Sequence, residues 1–366
     1  MLQLYLYSRE KQDEVIADLT GKFRGLKFST SLHGGFNALE FRPLLGEPTA
    51  FLWAERYHLH RLVLWDSQFG LVWEGRIEDV YPLDVGMKVR AVGFWASLFD
   101  QVYNARYWHT TWTARDIIID VLSNACPDIA TDYSGLQDPG LDIHPQTFED
   151  NFRPGQIVQT VVSYGDTEDP PRAWYFAIWE DRKPYLFPRK EQVDWCMSLA
   201  DLASGGIRFC RSSSNLWNRV AAIYSSEVGA REMTDWVQDD DSIAQYGRRD
   251  YILSLAGVTE DVAEKARDVA LEIYKQPSQS ATARFRGYAW DRNGVRKPLY
   301  LIRAGDVLRI KDLVPSEAML DSELADSLRT FFLVETEYND DTGELRVSPD
   351  FASPLLDILV ARESLE

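Results

Sequence analysis

The chain has 366 residues, 45% of them hydrophobic and 13% aromatic, enough to bury the cores of about two to four domains. Its 39 basic and 57 acidic residues leave a formal charge of -18, which disfavours tight binding of nucleic acid or anionic membranes and would suit a channel wall past which DNA slides without sticking. No apolar run is long enough to span a membrane, and the start MLQLYLYSREKQDE lacks the basic and apolar regions of a signal peptide, so the expectation is synthesis and folding in the cytoplasm.

In chain order, LKFSTSL (26–32), a turn at His33, Gly34 and Gly35, and FNALEF (36–41) predict a hairpin. YHLHRLVLW (57–65), LVWEGRIEDVY (71–81) and MKVRAVGFW (87–95), separated by DSQFG and PLDVG, predict a three-stranded meander. Thr113 followed by Asp116 reads as a capping box for a helix near 114–125, with Ile117, Ile118, Val121 and Leu122 as its apolar stripe. Residues 127–155 lack periodicity and read as a long loop or an irregular insert. A second short helix at 155–165 closes at Gly165, and an aromatic hairpin follows at 173–189.

Residues 207–226 read as strand, polar turn and strand. A short helix capped by Asp241 or Ser242 and closed by Gly247 comes next. A longer helix runs from a Thr259 cap to about Lys275, with Val262, Ala266, Val269, Ala270 and Ile273 on one side. Strands return at ATARFRGYAW, PLYLIRAGDVLRIKDL, RTFFLVETEYND and GELRVSPD, and PLLDILVARESL predicts a short final helix. The early succession of strand, DSQFG turn and GRIEDV strand is echoed by YLIRAGDVLRIKDL, FFLVETEYND and GELRVSP, which predicts two related units.

The sentence VLWDSQFGLVWEGRIEDV then VRAVGFWASL, together with NLWNRVAAIYSS, DDDSIAQYGRRDYIL and LIRAGDVLRIKDL, resembles the hub proteins of phage tail tips and baseplates, including minor tail proteins of long-tailed phages. The resemblance covers most of the chain and is weakest over 127–155 and 190–206. It implies an α+β, β-rich fold with two related β-barrel-like domains and small intervening and flanking α/β domains. The expected division is 1–105 for a first β-barrel-like hub domain and 106–206 for α/β insert material. A second β-barrel-like domain follows over 207–366, built from 207–250 and 281–348, with a helical insert near 251–276. The resemblance further implies subunits that associate as homotrimers, so that three copies of two similar domains match a sixfold tail tube. The implied partners are the tail tube or distal tail protein ring, the tape measure protein, and distal tip, spike or fibre proteins. DNA is met only in transit, at a virion tail tip assembled in the host cytoplasm.

Residues with chemical potential point weakly to catalysis. His58 and His60, two apart on a predicted strand, share a face, but His33 and His109 are distant and no carboxylate joins them as a metal set. Glu74, Glu78 and Asp79 beside Trp73 could suggest a glycosidase, yet Arg76 between the two glutamates predicts an ion-paired, solvated sheet face. Asp239, Asp240 and Asp241 lack the calcium-loop spacing, and Ser212, Ser213 and Ser214 lack a nucleophile elbow. Cys126, Cys196 and Cys210 are an odd, widely spaced set and read as reduced packing residues. Trp174, Tyr175, Trp179 and Tyr185 fit a core or a contact surface equally. The expectation is therefore no enzyme, no cofactor and no metal, with a carbohydrate-binding or carbohydrate-cleaving tail component and the hub of a contractile injection machine as alternatives.

Overall fold

A computed structural model describes residues 1–11, 14–44, 53, 55–83, 86–107, 112–143, 146–148, 151–168, 171–225, 231–255, 260–311 and 330–349. The first unit is made of β1 (Leu2–Tyr7), β2 (Val15–Asp18), β3 (Phe23–Ser31), β4 (Gly34–Pro43), β5 (Arg61–Asp66), β6 (Gly70–Pro82) and β7 (Met87–Val92). All neighbours within it are antiparallel, in the order β2-β1-β5-β6-β7-β4-β3. Period-two patterning explains it: Leu2, Leu4 and Leu6 of β1 and Met87, Val89 and Ala91 of β7 point inward, where Leu39, Phe41, Leu62, Leu64 and Trp73 join them in one core.

After a 3-10 turn at Phe94–Phe99 the chain enters a mixed segment. It holds β8 (Ala105–Tyr107), β9 (Trp112–Thr113), α1 (Ala114–Ala125), β10 (Asp142–Ile143), β11 (Gln146–Phe148), α2 (Pro154–Val162), β12 (Trp174–Ile178) and β13 (Pro184–Pro188). The Thr113–Asp116 capping box is present, and Ile117, Ile118, Val121 and Leu122 are buried against α2. This segment is spliced to the first unit where β12 runs parallel to β4, Ala177 opposite Gly34 and Ile178 opposite Gly35. The turn glycines make the splice possible: Gly35 has φ 86°, and a Cβ there would lie 2.2 Å from the Ile178 carbonyl oxygen.

The second unit starts with β14 (Trp195–Ser198) and β15 (Leu202–Ser212). An inserted α/β body follows, comprising β16 (Arg219–Ser225), β17 (Arg231–Met233), β18 (Val237–Gln238), α3 (Asp240–Tyr246), β19 (Asp250–Ser254) and α4 (Glu260–Tyr274). The unit resumes with β20 (Ser278–Arg286), β21 (Tyr288–Asp291), β22 (Arg296–Pro298), β23 (Val307–Lys311), β24 (Thr330–Asn339) and β25 (Glu344–Pro349). Its core gathers Met197, Phe285, Leu308, Ile310, Leu333 and Leu345.

Three segment expectations need revision. Residues 219–254 do not belong to the second barrel-like sheet, because β16 pairs with β17, β18 and β19 in a four-stranded sheet of its own, with α4 packed on Ala222 and Tyr224. Conversely, Trp195–Ser198, read as part of the middle segment, pairs with β21 and β23 of the second unit. The strand expected over 57–65 begins only at Arg61, since Leu59 takes a left-handed φ of 61°. The Thr259 cap and the final helix over 354–365 lie outside the described residues.

The echo heard in the sequence is a repeat of topology. In the first unit four strands run in the order β3-β4-β7-β6, and in the second β15-β20-β25-β24, every pair antiparallel. β5 leads into β6 as β23 leads into β24, each pairing with the first half of its long successor.

Candidate assembly surface

The two four-stranded sheets are joined edge to edge within the chain. β24 pairs with β3, Glu335 to Asn339 lying opposite Ser31 to Lys27. Buried at this seam, the Thr30 and Thr336 hydroxyl oxygens are 2.7 Å apart, and the Ala304 amide donates to Thr30 Oγ1 at 2.8 Å. Around it Tyr300 donates to Asp66 Oδ2 at 3.0 Å, and Arg303 pairs with Glu180 while lying over the rings of Phe36 and Trp179. Burial pushes the Asp66 carboxyl up, but hydrogen bonds from the chain amine, the Gln68 and Phe69 amides and Tyr300 outweigh it and hold the pKa below the usual value.

By the repeat, the counterpart of the β3–β24 seam would join β15 to β6. Inside one chain that seam is not made: among the described residues β15 pairs with β20 alone, and the Asp79–Pro82 end of β6 pairs with β7 alone. Among the described residues two matching edges are therefore left open, one at each end of the eight-stranded path.

The outward face of this path carries an unexpected charge distribution. In β3 a left-handed Gly25, φ 65°, coincides with a register shift that turns Arg24 outward directly opposite Arg42. Arg42 and Lys88 follow on the Phe41–Val89 pair, and Lys88 lies opposite Tyr81, so three cations and a tyrosine form one row across four strands. The next row alternates as Lys27, Glu40, Arg90 and Asp79, with ion pairs Lys88–Glu40 at 2.8 Å and Arg90–Asp79 at 3.0 Å. On the second sheet Arg284 faces Arg346, which faces Glu337, and Arg286 pairs with Glu344 at 2.5 Å. Directly opposed like charges destabilise a sheet. Among the described residues neither Arg24 nor Arg42 has a carboxylate partner, and they line a groove of about 340 Å³ with Lys27, Lys88, Glu40 and Asp341.

The segments carrying the family resemblance are structural knots. Fully buried Asn218 donates to the Gly247 carbonyl at 2.8 Å and to Ser242 Oγ at 3.2 Å, and accepts from the Arg249 amide at 2.7 Å. Ser242 Oγ in turn donates to the Lys275 carbonyl at 2.6 Å. NLWNRV, SIAQYG and the end of α4 thus form one network, and Gly247, φ 78°, ends α3 as expected. The helix cap is Asp239 rather than Asp241 or Ser242. In AGDVLRI, Asp306 accepts from the Arg303 amide and from Trp195 Nε1, each at 2.9 Å, pinning the turn to β14.

The sequence-derived candidates disperse. His58 and His60 sit in the turn before β5, His58 Nδ1 donating to the Glu78 carbonyl at 3.0 Å and His60 Nδ1 to the His58 carbonyl at 3.2 Å. His109 lies outside the described residues, and no three potential metal ligands converge among those described. Glu74 is not on a solvated face. It is fully buried, bound by Arg61 at 2.6 Å and by the Arg182 amide at 2.5 Å, because β6 is covered on both faces over Val72–Ile77. Burial raises its pKa against the opposing pull of Arg61. Arg76 pairs with Glu78 at 3.3 Å and with Asp100, and Asp79 with Arg90, so the three carboxylates serve separate structural pairs. Ser213 and Ser214 are exposed in a turn. Trp174, Tyr175 and Trp179 are buried core residues, with Tyr185 packed partly against the cluster that holds Trp179, which decides that open question for the core. Cys126 is buried and its thiol pushed up to about 12 by burial, and Cys196 is reduced on β14. An apolar cleft of about 340 Å³ between α2 and β12 is walled by Trp95, Val158, Val162 and Trp174, with His33 also lining it. No helix among the described residues is long and apolar enough to cross a membrane.

No protein-family model matches the sequence, and no curated protein matches it. Solved structures do. The chain is similar to the 43 kDa tail protein of prophage MuSo2 from Shewanella oneidensis, at 12% identity over 97% of both chains with a TM-score of 0.64. It is similar to the tail protein from Neisseria meningitidis MC58, at 11% identity over 98% of both and a TM-score of 0.61. Prophage tail protein gp18 from Listeria monocytogenes EGD-e matches at 10% identity over 99% of both, with a TM-score of 0.53. At such identities the likeness is one of fold, and it runs from end to end: the chain has the β-rich architecture of prophage tail proteins.

Proposed function

We propose that the chain is a non-catalytic building block of a phage tail tip, a hub that closes head to tail with copies of itself into a ring. The observation that carries this reading is the repeated sheet order with its one internal seam. β24 on β3 uses one type of edge contact, and β15 and the end of β6 offer the same contact to a neighbouring copy. A heterologous contact of this kind either closes into a ring or runs on as a filament, and two alike units per chain favour closure by three copies with six quasi-equivalent sheets. Such a ring caps a sixfold tail tube, leaves a central passage for DNA, and keeps the mixed segment and inserted body outside as anchoring sites for distal tip or fibre proteins. The full-length likeness to prophage tail proteins supports the same reading, and the scattered pairing of the carboxylates and histidines supports an assembling rather than a catalysing role.

Light scattering across concentration, with negative-stain imaging of the same samples, tests it. The expected result is a mass near three times 42.0 kDa and ring-shaped particles with a central hole. A strict monomer at every concentration, alone and with the tail proteins encoded beside it, would overturn the ring.

A further inference from the structure

We infer that the outward face of the eight-stranded path is a phosphate-contacting wall for duplex DNA. The inference rests on the ring reading above and specifies which residues meet the passing polymer. It also reverses the sequence-based expectation that negative charge lines the passage.

The argument starts from placement. Each sheet has one face packed on its core and one face left bare among the described residues, and the cross-strand pairs at the seam show that these bare faces are continuous: Thr30 and Thr336 point inward together, Ser29 and Glu337 outward together. In a ring closed through the open edges, the bulk of each subunit lies behind the core faces, so the bare faces surround the hole. The charge of that surface is opposite to the charge of the chain. The first sheet presents Arg24, Lys27, Arg42, Lys88 and Arg90 against Glu40 and Asp79, with Asp341 of the β24–β25 turn beside them. The second presents Arg284, Arg286 and Arg346 against Glu335, Glu337 and Glu344. A protein with 57 acidic and 39 basic residues thus places an excess of cations on this one face.

Two local features point to a polyanion. Arg24 opposes Arg42 across β3 and β4, and Arg284 opposes Arg346 across β20 and β25, pairings that cost stability in isolation, and a sequence that keeps such a conflict in each unit gains from it elsewhere. Gly25 adopts a left-handed bulge whose effect is to bring Arg24 into the cationic row. Neighbouring strands lie about 4.8 Å apart, so each row holds its charges along a line crossing the strands, which suits an extended chain of phosphates rather than one small anion. Ion-paired members such as Lys88–Glu40 and Arg90–Asp79 moderate the field, so contact is weak per copy and released by salt, as passage requires.

The test uses the full chain and a fluorescein-labelled duplex of about 30 base pairs, with anisotropy read from low to physiological salt and mass measured on the same samples. The expected result is binding at low salt that weakens steeply as salt rises. The Arg24→Glu, Arg42→Glu double variant and the Arg284→Glu, Arg346→Glu double variant should each weaken it tenfold or more. Reversal of Arg231, exposed on the separate sheet of the inserted body, should leave it unchanged. Arg24→Gln, Arg42→Gln keeps the test valid should the glutamate variants fail to fold, and is expected to give a smaller loss in the same direction. Absence of binding at low salt, binding indifferent to the variants, or equal binding of an acidic poly-glutamate peptide of similar charge would each overturn the inference. A ring that ignores DNA sinks this inference and spares the hub reading. A monomer whose DNA binding depends on the two arginine pairs keeps the cationic wall and sinks the ring.

Discussion

Thr30 and Thr336, 306 positions apart, share a 2.7 Å hydrogen bond between buried hydroxyls at the seam where the two sheets become one. Each hydroxyl has a further contact, the Ala304 amide on Thr30 and the Ile302 carbonyl on Thr336. Thr30→Val keeps the shape but leaves the Ala304 amide without its acceptor, and should cost about 1–3 kcal/mol in urea unfolding. Thr336→Val should cost less, since the carbonyl it loses keeps a second lone pair. The double variant should fall short of the sum because the two share one bond. Equal and additive losses would show that the seam is held by apolar packing alone.

Asn218 is the hub of the inserted α/β body. With Asn218→Ala the Gly247 carbonyl and the Arg249 amide lose their shared partner, and Ser242 loses one of its two. The expected loss is about 2–3 kcal/mol, confined to this body because its sheet is separate from the large one. Hydrogen exchange should therefore quicken at the amides of β16 and β19 and stay unchanged in β5 and β6. A uniform change over the chain would contradict the independence of the insert.

Glu74 holds Arg61 on one oxygen and the Arg182 amide on the other, in a turn where Asp181 and Arg182 have φ 57° and 60°. Glu74→Ala leaves Arg61 with a lost partner and the strained turn without its anchor, and should cost about 3–5 kcal/mol. Glu74→Gln retains an acceptor for the turn and should cost distinctly less. Its raised pKa means that ionised Glu74 detracts from stability, a penalty relieved as pH falls through the folded pKa. The advantage of wild type over Glu74→Gln should accordingly widen on mild acidification, as read by thermal unfolding at stepped pH.

Much of the architecture is legible in the residues because it rests on local signals. The Gly34–Gly35 hairpin, the Thr113 cap and the Gly247 stop each depend on a backbone requirement that few residues meet. The echo between the two units is legible for the same reason, since hairpin lengths and alternation recur. What is not legible is partnership between distant strands: the pattern of Val220, Ala222 and Tyr224 shows a buried strand but does not say which sheet receives it. Glu74 misled because a glutamate alternating with arginine reads as solvated, and only the layer formed by the 180–182 turn buries it. The cationic face was hidden by the net charge, which averages over a surface and cannot register which side of a sheet each residue takes. The Gly25 bulge, which flips Arg24, is the clearest case.

Tyr300 and Asp66 provide a pH-dependent tie between the units. The folded pKa of Asp66 is depressed, so its stabilisation is complete above the unfolded carboxylate value near 3.8 and is lost as pH falls through the lower folded value. Tyr300→Phe removes one of the hydrogen bonds that hold the carboxylate ionised. The variant should be about 1 kcal/mol less stable at neutral pH, and Asp66 should then protonate at a higher pH, so that acid unfolding begins earlier. Asp166, held below its usual value by the Arg172 amide, Trp174 and the Arg172 side chain against the opposing effect of burial, lies outside this contact and should titrate unchanged. Carbon-detected NMR titration of the aspartate carboxyls distinguishes the two: a shift at Asp66 alone confirms the tie, and a matching shift at Asp166 would mean that Tyr300→Phe loosens the molecule generally.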